Sequence, residues 1–142
     1  MKRAVIFFLV LAILAGTYAV WLKPWAKDEA SPPAAGAALV PVTIPDSLSE
    51  NAKIGMRLFQ AKCASCHGDD ASGRQGVAPP LIHKIYEPSH HADEAFQRAV
   101  SLGVRAHHWP FGDMPSVEGL SRGDVAMIVA YIREIQVANG IR

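Results

Sequence analysis

The sequence has few cysteines and no strong excess of charge of either sign. Two of its 142 residues are cysteine, too few for the disulfide framework with which small exported domains compensate for a thin core. The formal net charge is +1, and from residue 46 onward ten Lys and Arg stand against eleven Asp and Glu. Such a near-neutral region offers no surface suited to a polyanion, so no nucleic-acid partner is expected.

The sequence also lacks any convincing alternation of apolar and polar residues with period two, and it has no internal repeat. Without a strand pattern, the region from residue 46 is predicted to be all-α with long irregular connections. A domain of this size buries only about 60% of the surface that its unfolded chain exposes. A prosthetic group that adds apolar area would therefore matter to its stability.

The first 23 residues are predicted to form a membrane anchor. Two basic residues precede an uncharged run over residues 4–22, which as a helix would be about 28 Å long, close to the thickness of a bilayer's hydrocarbon core. A cleaved signal peptide, with its processing site near Ala19, is the alternative. We favour the anchor because the run is longer than the apolar core of an ordinary signal peptide. On either interpretation the chain is exported.

Residues 24–45 are rich in Pro, Ala and Gly and show no sustained period. This composition is typical of a linker, and in a polyproline-like conformation it would extend to about 70 Å. The predicted folded domain is therefore 46–142.

The first helix of that domain is predicted to end at Lys62. Ser47 and Glu50 are spaced as a capping box at its start. Its apolar residues at helical spacing are Ile54, Leu58 and Ala61. Gly55 within it indicates a close crossing with another helix, because an interior glycine otherwise only weakens a helix.

Two further helices are predicted. One covers residues 92–102 and stops at Gly103. The last begins after Ser121, which Asp124 matches as a capping partner, and ends at residues 139–140. Its apolar face consists of Val125, Ile128, Val129, Ile132 and Ile135.

Residues 63–67 read Cys-Ala-Ser-Cys-His, the C-x-x-C-H pattern of covalent haem attachment. On one helical turn, two thiols at this spacing can form thioethers to the two haem vinyl groups, and the adjacent imidazole can bind the iron. The alternatives are a thioredoxin-like redox pair and half of a zinc site. The former belongs with a βαβ pattern and the latter needs four ligands, and the sequence shows neither a βαβ pattern nor a second cysteine pair.

From about Ser49 to Gln136 the sequence resembles the class I cytochrome c family, in its membrane-anchored bacterial form. Residues 55–59 look like the family's first helix, 76–81 like its haem-edge loop, and 112–115 like the loop that carries the distal methionine. The resemblance implies a cytochrome c fold, in which the first and last helices cross around one covalently bound haem c. It also implies that Tyr131, Gly55 and Phe59 meet at that crossing.

The resemblance implies the site residues as well. Cys63 and Cys66 would attach the haem, and His67 and Met114 would bind the iron. Met56 and Met127, in contrast, lie within predicted helices and fit the role of core residues.

Three further positions are implied to surround the haem. Pro79 would accept the Nδ1 proton of the iron-binding histidine through its carbonyl, and Leu81 would lie in the same loop. Trp109 or Arg105 would donate a hydrogen bond to a haem propionate, and the sequence leaves both open. Arg74 is predicted to be an exposed loop residue.

Five histidines remain: His83, His90, His91, His107 and His108. The two His-His pairs raise the hypothesis of a copper or zinc site. Solvated loop histidines are the favoured interpretation, because adjacent residues on a regular element point apart. His107 and His108 are also close enough to Met114 in sequence to compete for the iron, which would give bis-histidine ligation.

The expected function is electron transfer by Fe(II)/Fe(III) cycling, with no enzymatic activity of the chain's own. The alternatives are a haem enzyme or gas sensor with a labile distal ligand, and a haem subunit of a larger membrane oxidase or dehydrogenase. The expected partners are redox proteins in or at the membrane, with no small-molecule substrate. The expected location is the bacterial cytoplasmic membrane, single-pass, with the haem domain on the periplasmic side, or the soluble periplasm if the first segment is cleaved.

Overall fold

A computed structural model of the chain describes residues 13–18, 20 and 33–142. Most of the predicted anchor, and the linker up to residue 32, lie outside these described residues. None of the helices in the described ranges is long and apolar enough to cross a membrane. The chain divides into two compact units at Pro32 and Pro33, and the second unit is described below by itself.

The second unit is built from helices and irregular connections. Four α-helices and one 3₁₀ turn follow one another in the order α1 (Glu50–Lys62), α2 (Ala64–His67), the 3₁₀ turn (Lys84–Tyr86), α3 (Asp93–Leu102) and α4 (Arg122–Ala138). Over residues 33–142 the only strand-like pairing consists of two isolated bridges, Arg74 with Ala78 and Val104 with Met114. The predicted all-α class is confirmed for this part of the chain.

The N-cap of helix α1 lies two residues later than predicted. The N-cap is Ser49, whose side chain accepts a hydrogen bond of 3.2 Å from a backbone N–H three residues on. Glu50 pairs with Lys53 at 2.7 Å, so the capping box predicted for Ser47 and Glu50 is wrong. The cause is a tertiary contact, because the Ser49 hydroxyl also donates to Glu134 of α4 at 2.6 Å.

The buried face of α1 also differs from the apolar pattern of the sequence. The buried residues are Ala52, Gly55 and Phe59, whereas Ile54 is 41% exposed and Ala61 is exposed. Two small residues and one aromatic ring thus form the contact face, because the partner helix approaches too closely for branched side chains.

The partner in that approach is α4. A Cβ atom added at Gly55 would lie only 1.8 Å from the backbone oxygen of Met127, so the two helices touch backbone to backbone. Next to this contact the rings of Phe59 and Tyr131 pack with their centroids 5.6 Å apart. The predicted crossing of the first and last helices is confirmed.

The other two predicted helices are confirmed to within a residue at their starts. Helix α3 has Ala92 as its N-cap and Gly103 as its C-cap. Helix α4 begins with the predicted capping box of Ser121 and Asp124. All five apolar residues predicted for its core face are buried, and Tyr131 and Gln136 are buried with them.

Part of the predicted linker is packed against the helices. The Leu39 N–H donates to the Ser72 carbonyl at 3.2 Å, Val42 packs on the core, and Thr43 exchanges two hydrogen bonds with the Asn139 side chain, at 2.9 and 2.8 Å. The compact unit therefore begins before residue 46. Composition alone misses this, because these contacts join residues about 30 and 96 positions apart in the chain.

Candidate functional site

The C-x-x-C-H segment forms a tight helical turn directly after α1. Cys63 caps α1, and its carbonyl accepts hydrogen bonds from the backbone N–H groups of Cys66 at 3.1 Å and His67 at 2.9 Å. Both cysteines are free thiols, the first half-buried and the second exposed. The turn therefore carries two thiols and one imidazole within a single short element.

The electrostatics of the turn argue against a redox or zinc-binding pair of cysteines. Burial, with a smaller contribution from the neighbouring Cys66, raises the pKa of the Cys63 thiol to about 11, whereas thioredoxin-like cysteines need a lowered pKa. Within residues 33–142, the two thiols belong to no group of three or more metal-binding side chains whose ligand atoms lie close enough together to hold one ion. The one described group of three such residues lies elsewhere, at His90, His91 and His108.

The His67 imidazole is buried and held by a single backbone contact. Only 8% of the residue is exposed, and Nδ1 lies 2.9 Å from the carbonyl oxygen of Pro79. Because a carbonyl only accepts, this contact requires the proton on Nδ1, which leaves Nε2 as the free donor atom for a metal. Burial lowers the pKa of His67 against the opposing effect of the Pro79 contact, and so favours the neutral imidazole that binds iron.

Arg74 stabilises the C-x-x-C-H turn through a hydrogen bond, a role that the sequence did not predict. It is half-buried rather than exposed as predicted, and its guanidinium donates to the Ser65 carbonyl at 2.7 Å. Two backbone hydrogen bonds between Arg74 and Ala78 close a short hairpin that leads into Pro79. The hairpin thus links the turn to the segment that holds the imidazole.

Leu81 fixes the far end of that segment. Its N–H donates to the Ala71 carbonyl at 2.9 Å, and its own carbonyl accepts from the side chain of Gln136 at 2.9 Å. The Leu81 side chain packs against the hydrophobic core. The position of Pro79, two residues earlier, is therefore tied to α4.

Met114 lies in a second, separate loop. Its backbone makes two hydrogen bonds of 2.9 Å with Val104, and these close the intervening segment 105–113 into a loop. A hydrogen bond of 2.8 Å from the Ala106 N–H to the Asp113 side chain tightens it. A Cβ atom added at Gly103 would lie 2.5 Å from the Met114 carbonyl oxygen, so the methionine is seated closely on the end of α3.

Trp109 projects from the same loop toward the segment after Pro79. Its ring packs edge-on against His83, with 5.1 Å between centroids, and stacks on Phe111 at 5.9 Å. The indole nitrogen is buried and has no hydrogen-bond partner. Burial also raises the pKa of the nearby Tyr86 hydroxyl.

Comparison with known protein families matches residues 52–136, more than half of the chain, to the family described as cytochrome c. The chain belongs to the cytochrome c family. A comparison with curated proteins found no match. Membership of the family implies a covalently bound haem c and a general role in haem-based electron transfer, and members of the family are typically electron carriers.

The residues of this cytochrome fit that cofactor. Two free thiols and an imidazole whose proton is held on Nδ1 are the donor set that haem c requires. A buried indole N–H without a partner fits an anionic acceptor such as a propionate. Bound haem c supplies an iron that accepts and releases one electron, and the protein supplies the ligands and the surrounding dielectric.

The cytochrome also brings four of its five remaining histidines together. The ring of His91 lies 4.8 Å from His90 and 5.3 Å from His108, and His108 lies 4.1 Å from His107. Desolvation, and then repulsion from the other three imidazoles, lowers the pKa of His108. His83 remains apart, against Trp109. His90, His107 and His108 are exposed loop residues, as predicted, but the four imidazoles lie together, which the rule for regular elements did not predict.

Proposed function

We propose that this cytochrome is a mono-haem electron carrier in which His67 and Met114 bind the iron from opposite sides. The observation that carries the proposal is the buried His67 imidazole, whose Nδ1 is engaged by the Pro79 carbonyl at 2.9 Å. A fixed tautomer and ring orientation are what a permanent axial ligand needs. The two free thiols on the same turn support attachment of the haem beside that imidazole.

Support for Met114 as the second ligand comes from its backbone. Two hydrogen bonds to Val104 and the close contact with Gly103 hold it in a closed loop. The other methionines with a described position serve elsewhere: Met56 packs on the core and Met127 lies at the helix crossing. A rigidly held thioether keeps the same coordination in both oxidation states, so electron transfer needs no bond to form or break.

Of the two candidates for a propionate contact, we favour Trp109. Its indole N–H is buried without a partner, so an acceptor there would remove the cost of an unsatisfied buried donor, about 1–3 kcal/mol. Arg105 is exposed, and a solvated guanidinium gains less from the same contact.

The electronic spectrum of the purified holoprotein tests this function. Ligation by His67 and Met114 should give a low-spin, six-coordinate spectrum, with a sulfur-to-iron charge-transfer band in the near infrared for the oxidised form. The reduced form should bind carbon monoxide only slowly, because no coordination position is open. A high-spin, five-coordinate spectrum would instead favour the haem enzyme or gas sensor.

We further propose that the cytochrome acts at the bacterial cytoplasmic membrane, tethered by residues 1–23 with its haem domain on the periplasmic side, and exchanges electrons with redox proteins there. The uncharged run over residues 4–22 supports the tether. Because the net charge from residue 46 onward is close to zero, docking to such partners would depend on proximity and on apolar contacts more than on electrostatic steering.

Amino-terminal sequencing of the mature protein from membranes tests the tether. We expect an uncleaved amino terminus and release of the protein by detergent but not by high salt, because an apolar helix is held by burial rather than by charge. An amino terminus at or after Val20 would mean a soluble periplasmic carrier instead.

A further inference from the structure

The histidine cluster, defined here as His90, His91, His107 and His108, lies apart in sequence from the turn of Cys63 and Cys66, and two of its members share the loop that Met114 closes. Its metal-binding potential is carried by three members: the side chains of His90, His91 and His108 each offer a ring nitrogen, and these nitrogens all lie within 4.8 Å of one another. The three residues come from two different loops, so the grouping depends on the tertiary fold.

The turn that carries His90 and His91 explains how neighbouring residues can share a site. The backbone N–H groups of both residues donate to the Glu87 carbonyl, at 3.0 and 2.8 Å, so the chain there is a tight turn. The rule that adjacent side chains point apart applies to regular elements. In this turn the two rings lie edge to face, with centroids 4.8 Å apart.

His91 is already oriented as a metal ligand is. Its Nδ1 lies 2.6 Å from the Ile85 carbonyl oxygen, which fixes the proton on Nδ1 and leaves Nε2 available. Metal-binding histidines almost always donate their other ring N–H in this way. Arg133 of α4 donates to the carbonyls of both Tyr86 and His91, at 2.7 and 2.5 Å, so this half of the cluster is anchored on the helix core.

The other two histidines of the cluster, His107 and His108, lie in the loop that the bridge between Val104 and Met114 closes. The bridge between Val104 and Met114 and the contact between Ala106 and Asp113 brace residues 105–113. Within that loop, His107 directs its Nδ1 to the Arg105 carbonyl at 2.8 Å and packs beside His108 at 4.1 Å. Two braced loops therefore present their imidazoles to one another.

We infer that His90, His91 and His108 bind one divalent transition-metal ion of borderline softness, such as Zn²⁺ or Cu²⁺, at a site separate from the haem iron. Imidazole ligands suit these ions and not Mg²⁺ or Ca²⁺, which take oxygen ligands. Two nitrogens on a tetrahedral zinc ion lie about 3.4 Å apart, so closure requires shifts on the order of 1 Å. His90 and His108 are exposed and can make them by side-chain rotation.

Equilibrium dialysis of the chelator-treated, full-length holoprotein against Zn²⁺ tests the inference, with zinc measured against haem iron. We expect one zinc ion per iron, not displaced by a large excess of Mg²⁺. Loss of a partner behind a metal ligand costs about 10- to 100-fold in affinity, so loss of a ligand itself, in His90→Gln or His108→Gln, should weaken binding at least tenfold. The matched control is His83→Asn, which removes a histidine outside the cluster but keeps a side chain able to cap the 3₁₀ turn, and its zinc affinity should be unchanged.

Two results would overturn the site. One is a zinc affinity that stays the same in the double variant His90→Gln/His108→Gln. The other is a change in the ferric haem spectrum on addition of Zn²⁺, which would mean that a cluster histidine had been removed from the iron. An unchanged spectrum with stoichiometric zinc supports a separate site. The zinc stoichiometry and affinity do not involve Met114, and the haem spectrum shows whether a cluster histidine is instead bound to the iron, so failure of the zinc site and failure of the Met114 assignment can be told apart.

Discussion

Replacing both Cys63 and Cys66 with alanine is expected to abolish covalent haem attachment. Each thiol adds across one vinyl group, with the sulfur bonding one carbon and the proton going to the other, so a chain without thiols has no means of attachment. Replacing either cysteine alone should leave a single thioether and a red-shifted reduced α band in the pyridine haemochrome assay, or no stable holoprotein. Acid–acetone extraction, which removes only non-covalent haem, measures the loss directly.

The matched control is Ser65→Ala, which changes an exposed residue between the two cysteines and leaves both thiols in place. Its haem should remain fully covalent with an unshifted α band. Retention of covalent haem in the double alanine variant would show that the attachment site is elsewhere. Haem-free protein should also lose its cooperative thermal transition, because a domain of this size depends on the apolar contacts that the cofactor provides.

The parts of the site that could be predicted from sequence are those set by local spacing. The thiols and the imidazole lie within five consecutive residues, and one helical turn brings them together. The same holds for α4, where a capping pair and a 3.6-residue apolar period fix both the start and the buried face. In these cases the interactions that determine the structure are nearly all within the element itself.

The parts that could not be predicted depend on contacts between distant residues. Ser49 replaces Ser47 as the cap of α1 because Glu134 lies across from it, and Gly55 selects the buried face because α4 touches it. Arg74 reaches Ser65 only because the chain folds back after the C-x-x-C-H turn. The apolar periodicity of the sequence contains no information about such long-range contacts.

The histidine cluster shows the same limit at the level of function. Two His-His pairs, about 17 residues apart, are visible in the sequence, but the rule that adjacent side chains point apart, which argues against clustering, holds only for regular elements. The pairs occupy a turn and a braced loop instead, and the loop is closed by the bridge between Val104 and Met114. Closure of that loop therefore governs both the methionine and the histidines.

The second large effect is expected from Met114. A thioether favours ferrous iron relative to imidazole, so Met114→His should keep six coordination and lower the midpoint potential by on the order of 0.2 V, within the range of about 0.8 V that axial ligands span. Met114→Ala should open the iron, remove the sulfur-to-iron band and let the reduced form bind carbon monoxide readily. Met56→Ala is the control: it removes another methionine, one that packs on the core, and it should lower stability but keep the band and the potential.

A pair of glycine variants tests whether the backbone position of Met114 matters for its binding to the iron. Gly103 and Gly112 both have positive φ, at 76° and 88°, so alanine imposes similar backbone strain at either position. Only at Gly103 would the added Cβ meet the Met114 carbonyl oxygen, at 2.5 Å, whereas nothing lies within 4 Å of the Cβ at Gly112. Gly103→Ala should therefore weaken the sulfur-to-iron band and speed carbon monoxide binding, while Gly112→Ala should leave both close to the parent.

The Met114 variants also decide between the methionine and its nearest rivals. His107 and His108 share the loop that Met114 closes, but their rings pack with one another and His108 contacts His90 and His91, which draws them into the cluster. If Met114→Ala kept the parent's low-spin spectrum and potential, one of these two histidines would be the ligand. The carrier would then work at a lower potential with different partners. Adding His107→Gln or His108→Gln to the Met114→Ala protein would be expected to open the iron, and the variant that does so would identify the ligand.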